Sequence, residues 1–303
     1  MIALSLRDVV KSFGERRILH SLDLKIETGE VYGLLGPNGA GKSTTVKIIC
    51  HLAKPDAGEV RVFGDPPSER TKYSIGVALQ EICLYEKLTC GENLRFTAAL
   101  YDLRGAELEA SVERSLAAVK LTDRRDSVVD TLSGGMKRRL HVALALVHRP
   151  RLVILDEPTE GMDIESRRAM WAIVGELRKQ EVAVLLTTHN VEEAQTLCDR
   201  IGILREGQIA AEGRPLELVR RVPARQVVLV RGVDEAAILE RLRSRGLEHR
   251  RTELGVHAWL RDPLELSQVV RIFDGIALDA LSQRPVSVED VYMEVIHGVS
   301  TTS

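Results

Sequence analysis

The sequence of 303 residues has no long uncharged run. The longest one covers the eleven residues from Val31 to Gly41, whereas a membrane-spanning helix needs about 20 predominantly apolar residues. The first residues also lack the basic start, apolar block and small-residue cleavage site of a secretory signal, because Arg7 and Asp8 follow almost at once. We therefore expect a chain that does not cross the bilayer and that stays in the cytoplasm.

Cysteine is scarce, and the four residues of this type form no CxxC pair. The eight histidines likewise form no HxxxH cluster. These spacings argue against a zinc site and against a disulfide framework, and they predict ordinary reduced thiols. The cysteines concerned are Cys50, Cys83, Cys90 and Cys198.

An excess of one charge is also missing, since 42 Lys and Arg stand against 44 Asp and Glu. This balance, with 44% hydrophobic residues, is typical of a globular chain and argues against a disordered one. The segment from residue 221 onward has 11 basic and 12 acidic residues, so its arginines predict a solvated face. We expect no nucleic-acid partner.

Short apolar runs alternate with helical patterns between Val31 and Leu204. This alternation predicts an α/β fold in which helices cover a mainly parallel sheet. The runs Leu152–Leu155 and Val182–Leu186 are apolar throughout, as in central strands that are buried on both faces. Before Val31, apolar and polar residues alternate, which predicts antiparallel edge structure.

Two further patterns divide the chain. From Gly91 to Lys120 the apolar residues have helical spacing and no strand candidate occurs, so we expect a helical subdomain over about residues 88–148. The alternation of strands and helices stops near Pro223. This change predicts a first domain over residues 1–220 and an accessory domain over residues 221–303.

The accessory domain is expected to be a small α+β unit of ferredoxin-like type, with the order βαββαβ and a final helix. The predicted elements are a strand at Gln226–Val230, a helix at Asp234–Arg245, two strands across Glu253–Gly255, a helix opened by Asp262-Pro263, a strand near Ile276–Leu281 and a helix at Val288–Ile296.

A glycine-rich loop that fits the pattern GxxxxGK[ST] lies between the apolar strand Val31–Leu35 and a helix. Glycines allow backbone N–H groups to turn toward phosphate oxygens, and the positive end of the helix adds to the attraction. Lys42 would supply a charge to the β- and γ-phosphates of ATP, and Ser43 a hydroxyl to Mg²⁺. The predicted ATP-binding residues are Gly36, Pro37, Asn38, Gly39, Ala40, Gly41, Lys42, Ser43 and Thr44.

Two carboxylates, Asp156 and Glu157, follow the apolar strand Leu152–Leu155. The carboxyl end of a buried strand is where ligands bind in open α/β sheets. Asp156 is expected to hold Mg²⁺, and Glu157 to orient and deprotonate the attacking water. An acidic pair at a strand end is usually only solvated, but together with the phosphate loop it indicates ATP hydrolysis.

Between the two motifs, Leu132-Ser133-Gly134-Gly135 resembles the LSGG signature of ABC ATPases. The span from about residue 2 to residue 220 resembles one ABC cassette, which implies a P-loop fold with a mixed sheet, an antiparallel part and a helical insertion. The resemblance also implies further site residues. They are Gln80 as the Q-loop glutamine in contact with the catalytic site and Mg²⁺, Asp163 as the D-loop aspartate, His189 as the switch histidine, and Phe13 as the aromatic residue that stacks on adenine.

In this family the signature completes the nucleotide site of the opposite subunit. Ser133, Gly134 and Gly135 would therefore contact the γ-phosphate that a second cassette holds. The resemblance implies a dimer with a second copy or a homologous cassette, and a separate polytopic membrane permease on whose cytoplasmic face the chain lies. ATP would hold the two cassettes together, and hydrolysis would let them reopen.

The residues after the signature, Met136-Lys137-Arg138-Arg139, differ from the Gln-rich continuation of importer ATPases and resemble exporter ATPases of the daunorubicin-resistance type. The segment Pro285–Tyr292 is similar to the tail motif of those proteins. Glu160 and Met162, which precede Asp163, depart from the family pattern. Glu160 would lie near the dimer interface, where it would affect hydrolysis or pairing.

Other functions stay open at this point. An importer ATPase with a ligand-sensing C-terminal domain is one alternative, although the residues after the signature argue against it. A soluble ABC ATPase that acts on ribosomes or DNA is another, but such proteins usually carry two cassettes or a long coiled-coil insertion. A binding module with little turnover is disfavoured by the presence of Gln80, Glu157 and His189. The C-terminal domain would serve either ligand sensing or dimer packing.

Overall fold

The computed structural model describes residues 1–252 and 254–297, and its contacts divide the chain into two units. The first unit covers Met1–Arg214, and the second begins at Pro215. The boundary predicted after residue 220 lies within a helix, Pro215–Arg221, that belongs to the second unit. In the described ranges, no helix combines the length and the apolar character that a membrane span requires.

The first unit contains nine strands and seven α-helices within its described residues. The strands are β1 (Ile2–Phe13), β2 (Arg16–Glu27), β3 (Val31–Leu35), β4 (Ala57–Val62), β5 (Ile75–Ala78), β6 (Leu152–Asp156), β7 (Ala183–Thr188), β8 (Arg200–Arg205) and β9 (Gln208–Gly213). The helices are α1 (Lys42–Ile49), α2 (Glu69–Lys72), α3 (Cys90–Leu100), α4 (Gly105–Ala118), α5 (Gly134–Leu146), α6 (Ile164–Lys179) and α7 (Val191–Leu197).

The main sheet has the strand order β5-β6-β7-β3-β8-β9, in which only the last pair is antiparallel. Every residue of β3, β6 and β7 is buried. These strands share one core with α1 and the antiparallel strands β1, β2 and β4, and α6 and α7 also pack against β7. β7 pairs with β6 on one side and with β3 on the other. The carboxyl ends of these three strands therefore meet at one edge of the sheet.

The antiparallel part forms a sheet of its own, with the order β2-β1-β4. The alternating pattern before Val31 predicted antiparallel edge structure, and β1 pairs antiparallel with both β2 and β4. The apolar residues of β1 and β2, such as Leu4, Leu6 and Leu22, pack into one core with Val46 and Ile49 of α1. The other face of this antiparallel sheet carries the polar residues, so only one of its two faces is buried.

Helices α3, α4 and α5 form the insertion that was expected over about residues 88–148. Buried apolar residues lie four positions apart on α3, at Leu94 and Ala98, and on α4, at Val112 and Leu116, which is the spacing of one helical face. α3 begins after the capping box of Thr89 and Glu92, in which each side chain accepts from the other residue's N–H, at 3.1 and 2.7 Å.

Two histidines, the buried His141 and the half-buried His148, make this insertion sensitive to acid. Burial lowers the pKa of His141 and of His148 to about 4 each. His148 also stacks on the Tyr101 ring, with 3.7 Å between the ring centroids. The unfolded chain binds these two protons near pH 6.5, and the folded chain only near pH 4. The free energy of unfolding therefore decreases as the pH falls through this window.

At pH 5 we expect each of the two histidines to reduce the stability by about 1 to 2 kcal/mol relative to pH 7.5. Urea unfolding at the two pH values measures this loss. The variant His141→Leu, which removes a titrating ring without leaving a large cavity, should show a smaller pH dependence. The exposed His51 offers a matched control as His51→Asn. An equal pH dependence in the parent chain and in His141→Leu would contradict the prediction.

The described part of the second unit contains α8 (Pro215–Arg221), β10 (Gln226–Gly232), α9 (Glu235–Ser244), β11 (Glu248–Thr252), β12 (Gly255–Leu260), α10 (Leu266–Ile272), β13 (Leu278–Pro285) and α11 (Val288–His297). The sheet order is β11-β12-β10-β13, and all three pairs are antiparallel. The element order from β10 to β13 is βαββαβ, while the ferredoxin-like assignment stays a prediction.

Two boundaries in this unit differ from the prediction. α10 does not open at Asp262-Pro263, because the N–H of Glu265 is bound by the Gln268 side chain at 2.8 Å and the helix begins at Leu266. β13 begins at Leu278, after the turn at Gly275, which has a φ of 82°. Of the two strands expected across Glu253–Gly255, β11 ends before and β12 begins after Glu253, which lies outside the described residues.

Candidate nucleotide site

The loop between β3 and α1 has the backbone that a phosphate loop requires. Gly41 has a φ of 114°, and a Cβ there would lie 2.7 Å from Cδ2 of Leu19. Only glycine fits such a position without strain. Gly41 is also the N-cap of α1 and offers no side chain to the first-turn N–H groups. These N–H groups have no partner within the helix, so they are available to an anion.

Lys42, the first residue of α1, is 6% exposed. Its Nζ donates to the carbonyl oxygens of Gly36 at 2.7 Å and Pro37 at 3.2 Å. It also lies 3.1 Å from Oε1 of Glu157, a contact that is ionic but lacks hydrogen-bond geometry. The lysine charge is therefore held over the loop and toward the carboxylate.

Asp156 ends β6, and Glu157 begins the loop that follows. Both side chains are buried, and Oδ1 of Asp156 accepts a hydrogen bond from the Thr187 hydroxyl of β7. The N–H of Glu157 donates to the carbonyl of Thr187 at 3.1 Å. Glu157 has a φ of 51°, a left-handed conformation that costs about 1 to 3 kcal/mol in a residue other than glycine. The neighbouring strand thus holds Glu157 in a strained turn.

His189 follows β7 and completes the group around Glu157. Its Nδ1 lies 2.9 Å from Oε2 of Glu157, and its backbone N–H donates to the same oxygen at 3.3 Å. The N–H of Gly36 donates to the carbonyl of Thr188 at 3.1 Å, which ties the phosphate loop to the same strand end. Glu157 therefore bridges Lys42 and His189, because β7 lies between β6 and β3 in the sheet.

A cavity of about 330 Å³ lies at this edge of the sheet. The predicted residues Asn38, Gly39, Gly41, Lys42, Ser43, Thr44, Gln80 and Glu157 line it, together with Arg16 and Ile18. A larger groove of about 930 Å³ lies at the opposite end of β6 and β7, near Pro150 and Val182, and no predicted site residue lines it. The smaller cavity thus brings together Lys42, Gln80 and Glu157. Other predicted residues are not among those that line it: Gly36, Pro37, Ala40, Asp156 and His189.

Phe13 does not line this cavity, although it lies near it. It is 54% exposed, and it pairs across the β1–β2 hairpin with Arg16, which does line the cavity. Nζ of Lys11 lies 5.4 Å from the centre of the Phe13 ring. Sequence reasoning missed Arg16 and Ile18; the signal that points to them is their place in the strand that follows Phe13.

Gln80 is held at two points. Its side-chain Nε2 donates to Oε2 of Glu160 at 2.8 Å, and its backbone carbonyl accepts from the guanidinium of Arg138. Arg138 also donates to the carbonyl of Glu157 at 3.3 Å. The Arg138 side chain is 8% exposed, and this burial lowers its pKa. The negative charges of Glu160, Asp156 and Glu157 act in the opposite direction and raise it. Arg138 was not among the site residues predicted from the sequence.

A second buried carboxylate, Glu193, lies behind the loop after Glu157. Its Oε1 accepts from the Thr159 hydroxyl at 2.8 Å and from the Trp171 indole at 3.2 Å. Burial raises the pKa of Glu193. These contacts join the loop to α6 and α7, and they hold Thr159, which lies between Glu157 and Glu160, in place.

The signature residues lie at the start of α5, where Ser133 is the N-cap and its Oγ accepts from the N–H of Met136 at 3.3 Å. A Cβ on Gly135 would lie 2.3 Å from Oγ of Ser166, so only glycine allows this approach to α6. Asp163 caps α6 and accepts from the N–H of Ser166 at 2.8 Å. Among the described residues that line the nucleotide cavity, none belongs to the signature.

The residues present fit ATP and Mg²⁺. The described ranges contain no cluster of three or more His, Cys, Asp or Glu side chains arranged for a metal ion. Mg²⁺ does not require one, because it is usually bound through one or two carboxylates together with phosphates and water. The hydroxyl of Ser43, which lines the cavity, and the buried carboxylate of Asp156, next to Glu157 in the chain, are ligands of this kind.

Comparison with known proteins identifies a family and similar chains. The family model described as ABC transporter matches residues 19–160. The chain is 36% identical over 295 residues to a Nod factor export ATP-binding protein I of Burkholderia orbicola (strain AU 1054), with 95% of each chain covered. It is 38% identical over 241 residues to a linearmycin resistance ATP-binding protein of Bacillus subtilis (strain 168), with 78% of each chain covered.

Solved structures agree in fold. A structure titled as the ATP binding subunit of an ABC transporter has a TM-score of 0.65 and 30% identity, and the match covers 72% of this chain and 92% of that one. The cbiO1 protein of Clostridium perfringens, described as part of the ABC transporter complex cbiONQ, has a TM-score of 0.66 and 25% identity, with 73% of this chain and 94% of that chain covered.

Proposed function

Because this chain belongs to the family of ABC transporter ATP-binding proteins, which bind and hydrolyse ATP, we propose that it powers an exporter through a separate membrane subunit. The observation that carries the proposal is the extent of the match to relatives named for export. The solved cassettes cover 72 to 73% of this chain, whereas the Burkholderia export protein covers 95%. The similarity to an export protein thus extends beyond the cassette.

The contacts support the following roles. Lys42 and the first-turn N–H groups of α1 bind the phosphates of ATP, which their positive charge attracts. Glu157 orients and deprotonates the attacking water, and His189 holds the Glu157 carboxylate at 2.9 Å. Ser43, Asp156 and Gln80 hold Mg²⁺, which when bound neutralises charge on the β- and γ-phosphates. Phe13, exposed beside Arg16, stacks on the adenine.

The signature supports a role between two chains. Gly134 faces open space, since a Cβ there would meet no atom within 4 Å, so the start of α5 is accessible to a ligand from outside. Ser133, Gly134 and Gly135 contact the γ-phosphate of a facing cassette, and Asp163 lies at the same interface. The partner is a second copy of this chain or a homologous cassette.

An exposed apolar patch supports the proposal of a membrane partner. Tyr85 and Phe96 contact each other edge to face at 5.0 Å between ring centroids, and Leu100 lies one turn beyond Phe96 on α3. Phe96 is 45% and Leu100 64% exposed. Tyr85 lies five residues after Gln80, so a partner bound here reaches the nucleotide site through a short segment. We place the permease on this patch and the chain on the cytoplasmic face of the membrane.

Purification of the chain from detergent-solubilised native membranes tests this proposal. We expect a polytopic membrane protein to co-purify in a near-equal amount. The variant Phe96→Glu, which introduces a charge into the patch, should reduce this recovery about tenfold or more, because an apolar contact would have to bury an unpaired carboxylate. The matched control is Val233→Glu, which changes an exposed valine of the second unit and should leave the recovery unchanged.

Recovery with ribosomes or nucleic acid, or with no membrane protein, from a chain that still hydrolyses ATP would contradict the transporter function and favour the soluble ABC ATPase. Equal recovery of the membrane protein with the parent chain and with Phe96→Glu would contradict only the location of the docking patch. An importer function would be favoured if the co-purifying complex moved its substrate inward.

A further inference from the structure

The hydrogen bond between Gln80 and Glu160 joins the nucleotide cavity to the loop after the catalytic carboxylates. Nε2 of Gln80 donates to Oε2 of Glu160 at 2.8 Å. Gln80 lines the cavity, and both side chains are exposed to solvent. Because Glu160 is the acid at which this chain departs from the family pattern, its contact with a site residue calls for a chemical explanation.

The chemistry of the two groups fixes the orientation of the amide. An ionised carboxylate can only accept hydrogen bonds, whereas the glutamine amide has a donor nitrogen and an acceptor oxygen. Glu160 therefore bonds only to the nitrogen side of Gln80. In the described part of the chain, no group donates to Oε1 of Gln80. The oxygen is thus the atom that is left for a ligand.

The main chain of Gln80 is fixed independently of its side chain. The buried guanidinium of Arg138 binds the carbonyl of Gln80 and, at 3.3 Å, the carbonyl of Glu157. This fork sets the position of Gln80 relative to the carboxylates of the site. What remains free is the rotation of the Gln80 side chain, and Glu160 restricts that rotation.

We propose that Glu160 is a positioning residue that holds the Gln80 amide with its oxygen available to Mg²⁺. This inference rests on the metal role proposed above for Gln80. Mg²⁺ takes oxygen ligands, and an amide nitrogen is not one of them. An acceptor at residue 160 therefore favours the orientation of Gln80 that binds the metal, and a donor there favours the opposite one.

Two variants separate these orientations. In Glu160→Gln, the new amide both donates and accepts, so the Gln80 amide can adopt either orientation. In about half of the molecules its oxygen is then available to Mg²⁺. The metal contribution to nucleotide affinity should then decrease about twofold. In Glu160→Lys, the new side chain only donates, binds Oε1 of Gln80 and turns its nitrogen toward the cavity. The metal contribution should decrease about tenfold.

The measured quantity is the affinity for a non-hydrolysable ATP analogue, determined by calorimetry once with Mg²⁺ and once with EDTA. The ratio of the two affinities, here called the metal ratio, isolates the contribution of the metal and does not depend on turnover. We expect the metal ratio to decrease in the order parent, Glu160→Gln, Glu160→Lys. Glu176→Lys, which reverses the charge of an exposed acid on α6, is the matched control and should keep the parent ratio.

Glu160→Lys also brings a positive charge near the metal, and a double-mutant cycle separates this effect from orientation. In the Gln80→Ala background no amide remains to be turned, so Glu160→Lys should change the metal ratio only about twofold or less. An equal decrease in both backgrounds would overturn the inference, and so would a parent-like ratio in Glu160→Lys.

Asp156→Asn tests the metal site itself. If this variant keeps the parent metal ratio, the proposed metal site is wrong and the inference fails with it. If the metal ratio decreases in Asp156→Asn while both Glu160 variants keep the parent value, the proposed metal site is supported and only the role of Glu160 is overturned.

Discussion

Glu157→Gln is expected to hydrolyse ATP at least about a hundredfold more slowly than the parent chain while it still binds the nucleotide. A general base contributes about 10²- to 10⁴-fold to such a reaction, and glutamine cannot take the proton. Glu157 is the only acid in the described part of the chain that lies against both Lys42 and His189. The substitution keeps the size of the side chain, so the loop around it should be preserved.

Phosphate release at saturating ATP measures the rate, and calorimetry measures the retained binding. The matched control is Glu192→Gln, which removes an exposed carboxylate in the first turn of α7 and should leave the rate within about twofold of the parent. Because hydrolysis is blocked, Glu157→Gln should also accumulate as an ATP-bound dimer, which sedimentation with and without ATP detects. A rate within a few-fold of the parent would assign the base to another residue.

The part of this site that the sequence predicts best is the group formed by Lys42, Glu157 and His189. Each of these residues lies a few positions after a mostly apolar run, and such runs become neighbouring parallel strands whose carboxyl ends share one edge. The glycine pattern before Lys42 is predictable for a related reason, because the backbone at Gly41 admits no side chain. At these positions the residues that the local sequence pattern singles out are the ones that the fold brings together.

The contacts of Gln80 lie beyond sequence reasoning. Its nitrogen is bound by Glu160 and its carbonyl by Arg138, which are far from it along the chain. No local pattern encodes such a contact, because it depends on how α5 and the loop after β6 pack around β5. Arg138 was visible in the sequence only as part of a basic run after the signature, and only the fold reveals that it binds the carbonyls of Gln80 and Glu157.

Element boundaries in the second unit show the same limit. Asp262-Pro263 is a common helix start, yet α10 begins at Leu266 because Gln268 binds the N–H of Glu265. The start of β13 was predicted too early, because the left-handed turn at Gly275 lies close before it. Composition and periodicity thus predict that an element exists, whereas a single hydrogen bond or turn decides where it begins.

Lys42→Met is expected to destabilise the first unit by about 3 kcal/mol, and Glu157→Gln in the same chain should restore most of that loss. Lys42 and Glu157 form an ion pair whose side chains are only 6% and 7% exposed. Removing one partner of such a pair leaves the other charge buried without compensation, at a cost of about 3 to 5 kcal/mol. Neutralising Glu157 removes this penalty, although Gly36 and Pro37 still lose the lysine as a donor.

Urea unfolding without nucleotide measures these stabilities, because bound ATP would itself stabilise the folded state. The two tryptophans lie in different units, Trp171 on α6 and Trp259 on β12. In a Trp259→Phe background, fluorescence reports the first unit alone. Lys47→Met, at the exposed end of α1, is the matched control and should cost no more than about 1 kcal/mol.

The double variant also separates stability from catalysis. It should regain stability but not ATP hydrolysis, since it lacks both the charge proposed to bind the phosphates and the carboxylate proposed as the base. If Lys42→Met were no less stable than Lys47→Met, the ion pair between Lys42 and Glu157 would contribute nothing to stability. If the double variant were as unstable as Lys42→Met, the loss would arise from the carbonyl contacts of Lys42 rather than from the charge of Glu157.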